Sequence, residues 1–200
     1  MSFMTPAQAR LYIPALTGTG EDANLTLLID RLEMVFAWYL GFQPSTAGGN
    51  PGLSETTYTL YLDGPGGQEL YLPYLPVLSI GSIHDDPDRE YGSADLVAAS
   101  DYELFGDTGL VILKNAATHG QWSTSSRAIK AVFNAGYSTV PSAIVHAGGI
   151  QIAHLWAGRN SVGKSNLSQG GSSLTLKDLT LLPEVKESLA SYRIPSAFLG

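Results

Sequence analysis

The chain has 200 residues, of which 44% are apolar and only 14% charged, with a formal charge of −7 at pH 7 and no cysteine. Soluble domains carry roughly 25% charged residues, so charge is scarce here, while 10 Tyr, 6 Phe and 3 Trp supply core material and exclude a disordered chain. Without cysteine there are no disulfides, thiolate metal sites or cysteine nucleophiles, and the negative balance argues against affinity gained by wrapping nucleic-acid phosphates.

The opening residues, Met1 to Gln8, hold no basic region ahead of an apolar one, so no secretory signal is expected. Thr5-Pro6 before Ala7 to Tyr12 predicts a short capped helix with proline at its first position. Ile13 to Gly20 is a break. From Asp22 to Leu40, Leu25, Leu28, Ile29, Leu32, Val35, Phe36 and Tyr39 recur at intervals of three and four, and Gly41 stops the helix. Asp30, Arg31 and Glu33 interrupt this apolar run, so it is not expected to span a membrane. Pro44 to Ser54 reads as a loop.

The middle of the chain is β-prone. Thr56 to Leu62, the Asp63 to Gly67 turn and Glu69 to Tyr74 predict a hairpin. Val77 to Ile83 predicts another strand, and His84 to Gly92 a polar loop. Asp101 to Phe105 and Leu110 to Leu113, around Gly106 to Gly109, predict a second hairpin. Arg127 to Ala135 is the last strand, with Ile129, Ala131 and Phe133 on one face. Helical spacing returns from Pro141 to Arg159 with Ile144, Gly148, Ile152 and Leu155 in one stripe. Gly148-Gly149 within it costs about 1 kcal/mol per glycine relative to alanine, which suggests close approach of another backbone. Asn160 to Ser173 is a Gly/Ser-rich loop, and Pro183 to Tyr192 a final helix. The fold class is α+β: a helical frame at both ends with an inserted antiparallel β region of hairpins.

One motif invites a chemical reading. Gly158 to Ser165 matches the GxxxxGK[ST] phosphate loop, with Lys164 in the phosphate-contacting position. A phosphate loop needs a buried strand before it and a helix after it. Here a helix precedes and a Gly/Ser-rich stretch follows, so nucleotide binding is kept as the alternative reading. His84, Asp85, Asp86 and Asp88 lack the spacing of a calcium loop. His146 and His154 lie eight apart on one helix, too far to share an ion, and are expected to pack or cap. Tyr58, Tyr61, Tyr71 and Tyr74 suit either a stacking platform or ordinary strand packing. No catalytic, cofactor or metal residues are assigned, and no enzymatic activity or cofactor is expected.

Read in order, the segments resemble the head–tail connector family of tailed bacteriophages, the adaptor or head completion proteins. The residues that carry the resemblance are the Asp22 to Gly41 helix, the Glu69 to Ile83 strand–proline–strand passage, and Asp101 to Leu104 then Gly109 to Leu113 with Trp122 downstream. The most specific stretch is Ile129 to Ile144, in which an apolar strand, Ala135-Gly136-Tyr137 and Val140-Pro141 lead into a helix holding Ala153 to Trp156. Leu189 to Arg193 completes the likeness. Asn160 to Ser173 has no counterpart in that pattern. The resemblance implies one adaptor-like domain over 1–200, with a β-rich insertion at about 56–134, a loop at about 160–182 and a tail at about 193–200.

It also implies a structural virion protein of the phage neck, made in the host bacterial cytoplasm. Copies of it would form a ring, typically of twelve, beneath the portal, joining the DNA-filled head to the tail and extending the DNA channel. Implied partners are its own copies, the portal protein and a stopper or tail protein, with viral DNA passing without specific binding and no membrane involved. Tyr192, Arg193, Ile194, Pro195, Phe198 and Leu199 are then the portal-facing candidates, an expectation supported by an apolar tail with no obvious core to join.

Overall fold

Helix starts and stops follow the local chemistry. In the computed structural model, which describes residues 2–44, 51–114, 120–159, 166–169, 172–175 and 180–194, helix α1 (Pro6–Arg10) opens on a reciprocal cap. The Gln8 N–H donates to Thr5 Oγ1 at 3.2 Å, and the Thr5 N–H donates to Gln8 Oε1 at 2.8 Å. Such caps are worth about 1 kcal/mol. Helix α2 (Asp22–Leu40) buries Leu25, Ile29, Leu32, Phe36 and Leu40 along one face. It ends where Gly41 turns left-handed at φ 98°. There the Phe42 N–H reaches the Ala37 carbonyl and the Gly41 N–H the Trp38 carbonyl, a Schellman closure that satisfies two orphan acceptors.

The chain divides into two compact units, Met1–Phe36 with Val140–Arg193, and Ala37–Thr139 with Ile194. The first is the helical frame: α1, most of α2, α3 (Ser142–Gly158) and α4 (Pro183–Ala190). Arg10 pairs with Asp22, which also suits an acid in the first turn of α2. The α3 glycines receive side-chain rings, not the backbone that the sequence suggested. A Cβ on Gly148 would lie 2.4 Å from Phe3 Cε2, and one on Gly149 2.4 Å from the Tyr12 ring. Phe3 in turn packs against Phe36, ring centroids 5.7 Å apart. Helix α4 packs on α3 through Val185 and Leu189.

Residues 160–182 are not loop throughout. The short strands β7 (Asn166–Gln169) and β8 (Ser172–Thr175) pair antiparallel. Their last pair is Gln169 with Ser172, which have two residues between them in the sequence.

The second unit holds two three-stranded antiparallel sheets. One has the order β1–β6–β3, from β1 (Thr56–Leu62), β6 (Ile129–Ala135) and β3 (Val77–Asp85). The other has the order β2–β5–β4, from β2 (Glu69–Tyr71), β5 (Leu110–Leu113) and β4 (Tyr102–Phe105). The β4–β5 hairpin is the second one expected from the sequence. Strand β3 runs two residues further than expected, into His84 and Asp85.

The first expected hairpin does not form, because β1 pairs with β6 and β2 with β5. The cause lies in the connection: Asp63 to Gly67 is a crossover bonded to a distant segment, not a turn. The Gly64 N–H donates to the Ser125 carbonyl and the Gly66 N–H to the Ser123 carbonyl, each at 3.0 Å. A Cβ on Gly64 would fall 2.0 Å from the Ser123 oxygen, so only glycine lets the two backbones approach this closely. Alternation along β6 buries Ile129, Ala131, Phe133 and Ala135, and Tyr58 and Tyr74 close over Phe133.

Candidate functional site

The phosphate-loop motif lacks the setting that phosphate binding needs. Gly158 is the last residue of α3, so a helix enters the motif where a buried strand is required. Arg159 is committed to that helix end: its Cζ lies 4.3 Å over the Trp156 ring and Nη1 donates to the Trp156 carbonyl at 2.9 Å. Residues 160–165, Lys164 among them, lie outside the described residues.

The acids of the 84–92 segment are satisfied by the protein itself. Asp85 is buried and accepts the Ser123 N–H at 3.0 Å and the Ser123 hydroxyl. Asp86, 4% exposed, accepts backbone N–H groups from Asp88, Glu90 and Tyr91 at 2.8, 2.6 and 2.7 Å. These donors, that of Tyr91 foremost, hold its carboxyl below the usual aspartate range. The acid-rich run is thus a loop organised around one carboxylate. No group of three or more His, Asp or Glu side chains able to hold a metal ion occurs among the described residues.

Of the four tyrosines, Tyr58, Tyr61 and Tyr71 lie in strands while Tyr74 falls beyond the end of β2, short of the strand end expected from the sequence, and they separate into two roles. Tyr58 and Tyr74 are core residues with ring centroids 4.5 Å apart, and burial, then the neighbouring Tyr74, pushes the Tyr58 hydroxyl up to about 12. Tyr61 and Tyr71 face outward. Arg127 lies over the Tyr61 ring at 5.2 Å, and Tyr71 donates to Glu69 at 3.1 Å. No stacking platform of four rings exists. Both histidines of α3 are exposed; His146 packs on Tyr12 and shares a 2.9 Å hydrogen bond between its Nδ1 and the Tyr12 hydroxyl.

Among the portal-facing candidates, Tyr192 is half-buried and Arg193 exposed. Ile194 does join a core: it is 7% exposed and its N–H donates to the Leu40 carbonyl at 2.8 Å. The expectation of a tail without a core to join is corrected at this residue. Pro195, Phe198 and Leu199 lie outside the described residues.

The structure adds surfaces that single motifs do not announce. A groove of about 210 Å³ runs between α2 and α3, with apolar walls that include Leu28, Leu32, Val35 and Leu155 and with Arg31 and Arg159 among its lining residues. Beside it, Gln151 is 1% exposed and bridges to the approach of α4. Its Oε1 accepts the Leu182 N–H at 2.9 Å, and Nε2 donates to the Thr180 carbonyl at 3.4 Å. No charge run or spacing marks Gln151 in the sequence, where it reads as a polar interruption of an apolar stripe. These surfaces offer apolar contact and ion pairing and present no nucleophile with a positioned base. No helix among the described residues is long and apolar enough to cross a membrane.

No family model and no curated protein matches the sequence. Solved structures do match in fold. A chain from the neck of an empty GTA (gene transfer agent) particle, computed with C6 symmetry, superposes with a TM-score of 0.59. The match spans 96% of this chain and 90% of that one at 16% identity. A chain from the neck of a native GTA particle, computed with C12 symmetry, gives a TM-score of 0.48 at 17% identity over 90% and 93% of the two chains. The α+β fold of this chain is therefore the fold of a chain found in the neck of a phage-like particle.

Proposed function

We propose that this chain is a structural, non-enzymatic subunit of the neck of a tailed bacteriophage or phage-like particle. Its copies form a ring beneath the portal, twelve by the family resemblance, that joins the DNA-filled head to the tail and extends the DNA channel. The observation that carries this reading is the likeness to the GTA neck chain, which extends over nearly the full length of both chains. The order of helices, strands and connecting motifs in the sequence supports it independently.

Physical arguments agree with that role. A ring needs interfaces rich in apolar and aromatic residues and poor in charge, the bias of this composition. A subunit with a net charge of −7 gains no general affinity for passing phosphates. The portal side is assigned to the C-terminal run Tyr192, Arg193, Pro195, Phe198 and Leu199, with Ile194 as the anchor that fixes where the run leaves the fold. A stopper or tail protein binds below, and the site of action is the virion neck after synthesis in the host cytoplasm.

Electron microscopy of the purified protein, alone and mixed with its cognate portal, tests the assignment. Rings in register with the portal are expected. A strictly monomeric protein that binds ATP with magnesium, and loses it on Lys164→Ala, would overturn it.

A further inference from the structure

Cyclic assembly of identical copies requires two different patches on each copy, each complementary to the other. Two surfaces of this chain combine apolar residues with charges of opposite sign. The first is the groove between α2 and α3, with Leu28, Leu32, Val35 and Leu155 as apolar lining and Arg31 and Arg159 as its cations. Trp156 holds Arg159 in place from beneath and through its carbonyl. The acid of the adjoining depression, Glu21, is engaged by Asn24 Nδ2 at 2.7 Å.

The second surface is the outer face of the β2–β5–β4 sheet. Strand register sets Tyr71, Leu110 and Phe105 in one cross-strand row and Glu69, Ile112 and Glu103 in the next. Alternation sends Leu70, Val111 and Leu113 inward and leaves these rows outside, with Tyr71 46% and Phe105 41% exposed. An apolar centre flanked by two carboxylates is thus presented to solvent, and aromatic side chains in such a patch mark an association surface.

Resting on the reading of the chain as a ring-forming neck subunit, we propose that these surfaces are the two halves of the subunit interface. The outer face of β2–β5–β4 on one copy seats in the α2–α3 groove of the next, with Glu69 and Glu103 opposite Arg31 and Arg159. A second copy is the occupant because the chain itself carries both the groove with arginines and the face with glutamates. Neither surface pairs with itself, since arginine would meet arginine or glutamate meet glutamate. Like-charge repulsion therefore disfavours a two-fold dimer and selects head-to-tail order.

Charge reversal tests this. The full-length variants R31E/R159E and E69K/E103K, and the chain carrying all four changes, are compared with the wild type by sedimentation velocity and negative-stain microscopy at low salt. Each double variant is expected to lose the ring and sediment as a monomer. An equimolar mixture should recover rings in which the two variants alternate, and the fourfold variant should recover rings alone. If a reversal lowers the melting temperature, the single changes Arg31→Gln and Glu103→Gln, both at exposed positions, read the same contact as several-fold weaker assembly. Rings formed by either double variant alone, or no rescue between folded variants, would overturn the interface and leave the ring reading standing. A wild type that forms no ring, alone or on a portal, overturns the ring reading and the interface together.

Discussion

Asp86 illustrates how one side chain can organise a segment whose composition advertises something else. Its carboxylate collects three backbone donors within five residues, and the charge-assisted bonds favour the ionised form. The folded-state pKa lies below the ordinary value, so the stabilisation is fully present above the unfolded value, about 4, and is lost as pH falls through the folded one. Asp86→Asn is expected to lower the melting temperature at pH 7, with the gap to wild type closing on acidification below about pH 4. Thermal melts across that range check it, and a gap independent of pH would contradict the role of charge. In the sequence, His84 to Gly92 displays acids without showing where their donors are. The donors are backbone amides that only the folded loop brings round, which is why a metal reading could be raised from residue types alone.

At the scale of elements, the legible features were those whose cause is local. Helix α2 was readable to the residue because its apolar period and the Gly41 stop lie within it, and β6 was readable from its alternation. Pairing was not local. Thr56 to Leu62 bonds to Ile129 to Ala135, and nothing within β1 encodes a partner so far along the chain. The Gly148-Gly149 pair announced close approach, while the identity of the approaching group depended on Phe3 and Tyr12, far upstream. Gln151 is the case where an element's placement hangs on a single polar group. Helix α4 has no side-chain cap of its own, and the Leu182 N–H at its start is met by the buried Gln151 amide. Gln151→Met leaves that donor unsatisfied, at a cost of about 1–3 kcal/mol. Amide hydrogen exchange should show α4 losing protection first, ahead of α2 and the β-sheets. Uniform loss across the chain would show that Gln151 stabilises the fold generally and does not dock α4.

At the scale of the whole molecule, the portal contact proposed for the C-terminal run has to be separated from the core contact of Ile194 before it can be tested. Ile194 is buried and bonded to the Leu40 carbonyl, so removing it perturbs the chain's own core as well as any partner contact. Its apolar character was visible in the sequence. Its acceptor was not, because that carbonyl is one of the last in α2 and becomes available only once the helix has ended at Gly41. A truncation that starts at Pro195 keeps this anchor and removes Phe198 and Leu199. Two aromatic or aliphatic side chains buried at an interface contribute on the order of 1.5–3 kcal/mol each, enough to change binding by a factor of a hundred or more. The truncated chain is therefore expected to keep the wild-type melting temperature and to lose binding to heads that carry the portal, measured by co-sedimentation. Ile194→Ala in the full-length chain should do the opposite: a lower melting temperature with docking retained in the folded fraction. Undiminished docking by the truncated chain would overturn the proposed portal contact of the C-terminus, whatever ring the protein forms.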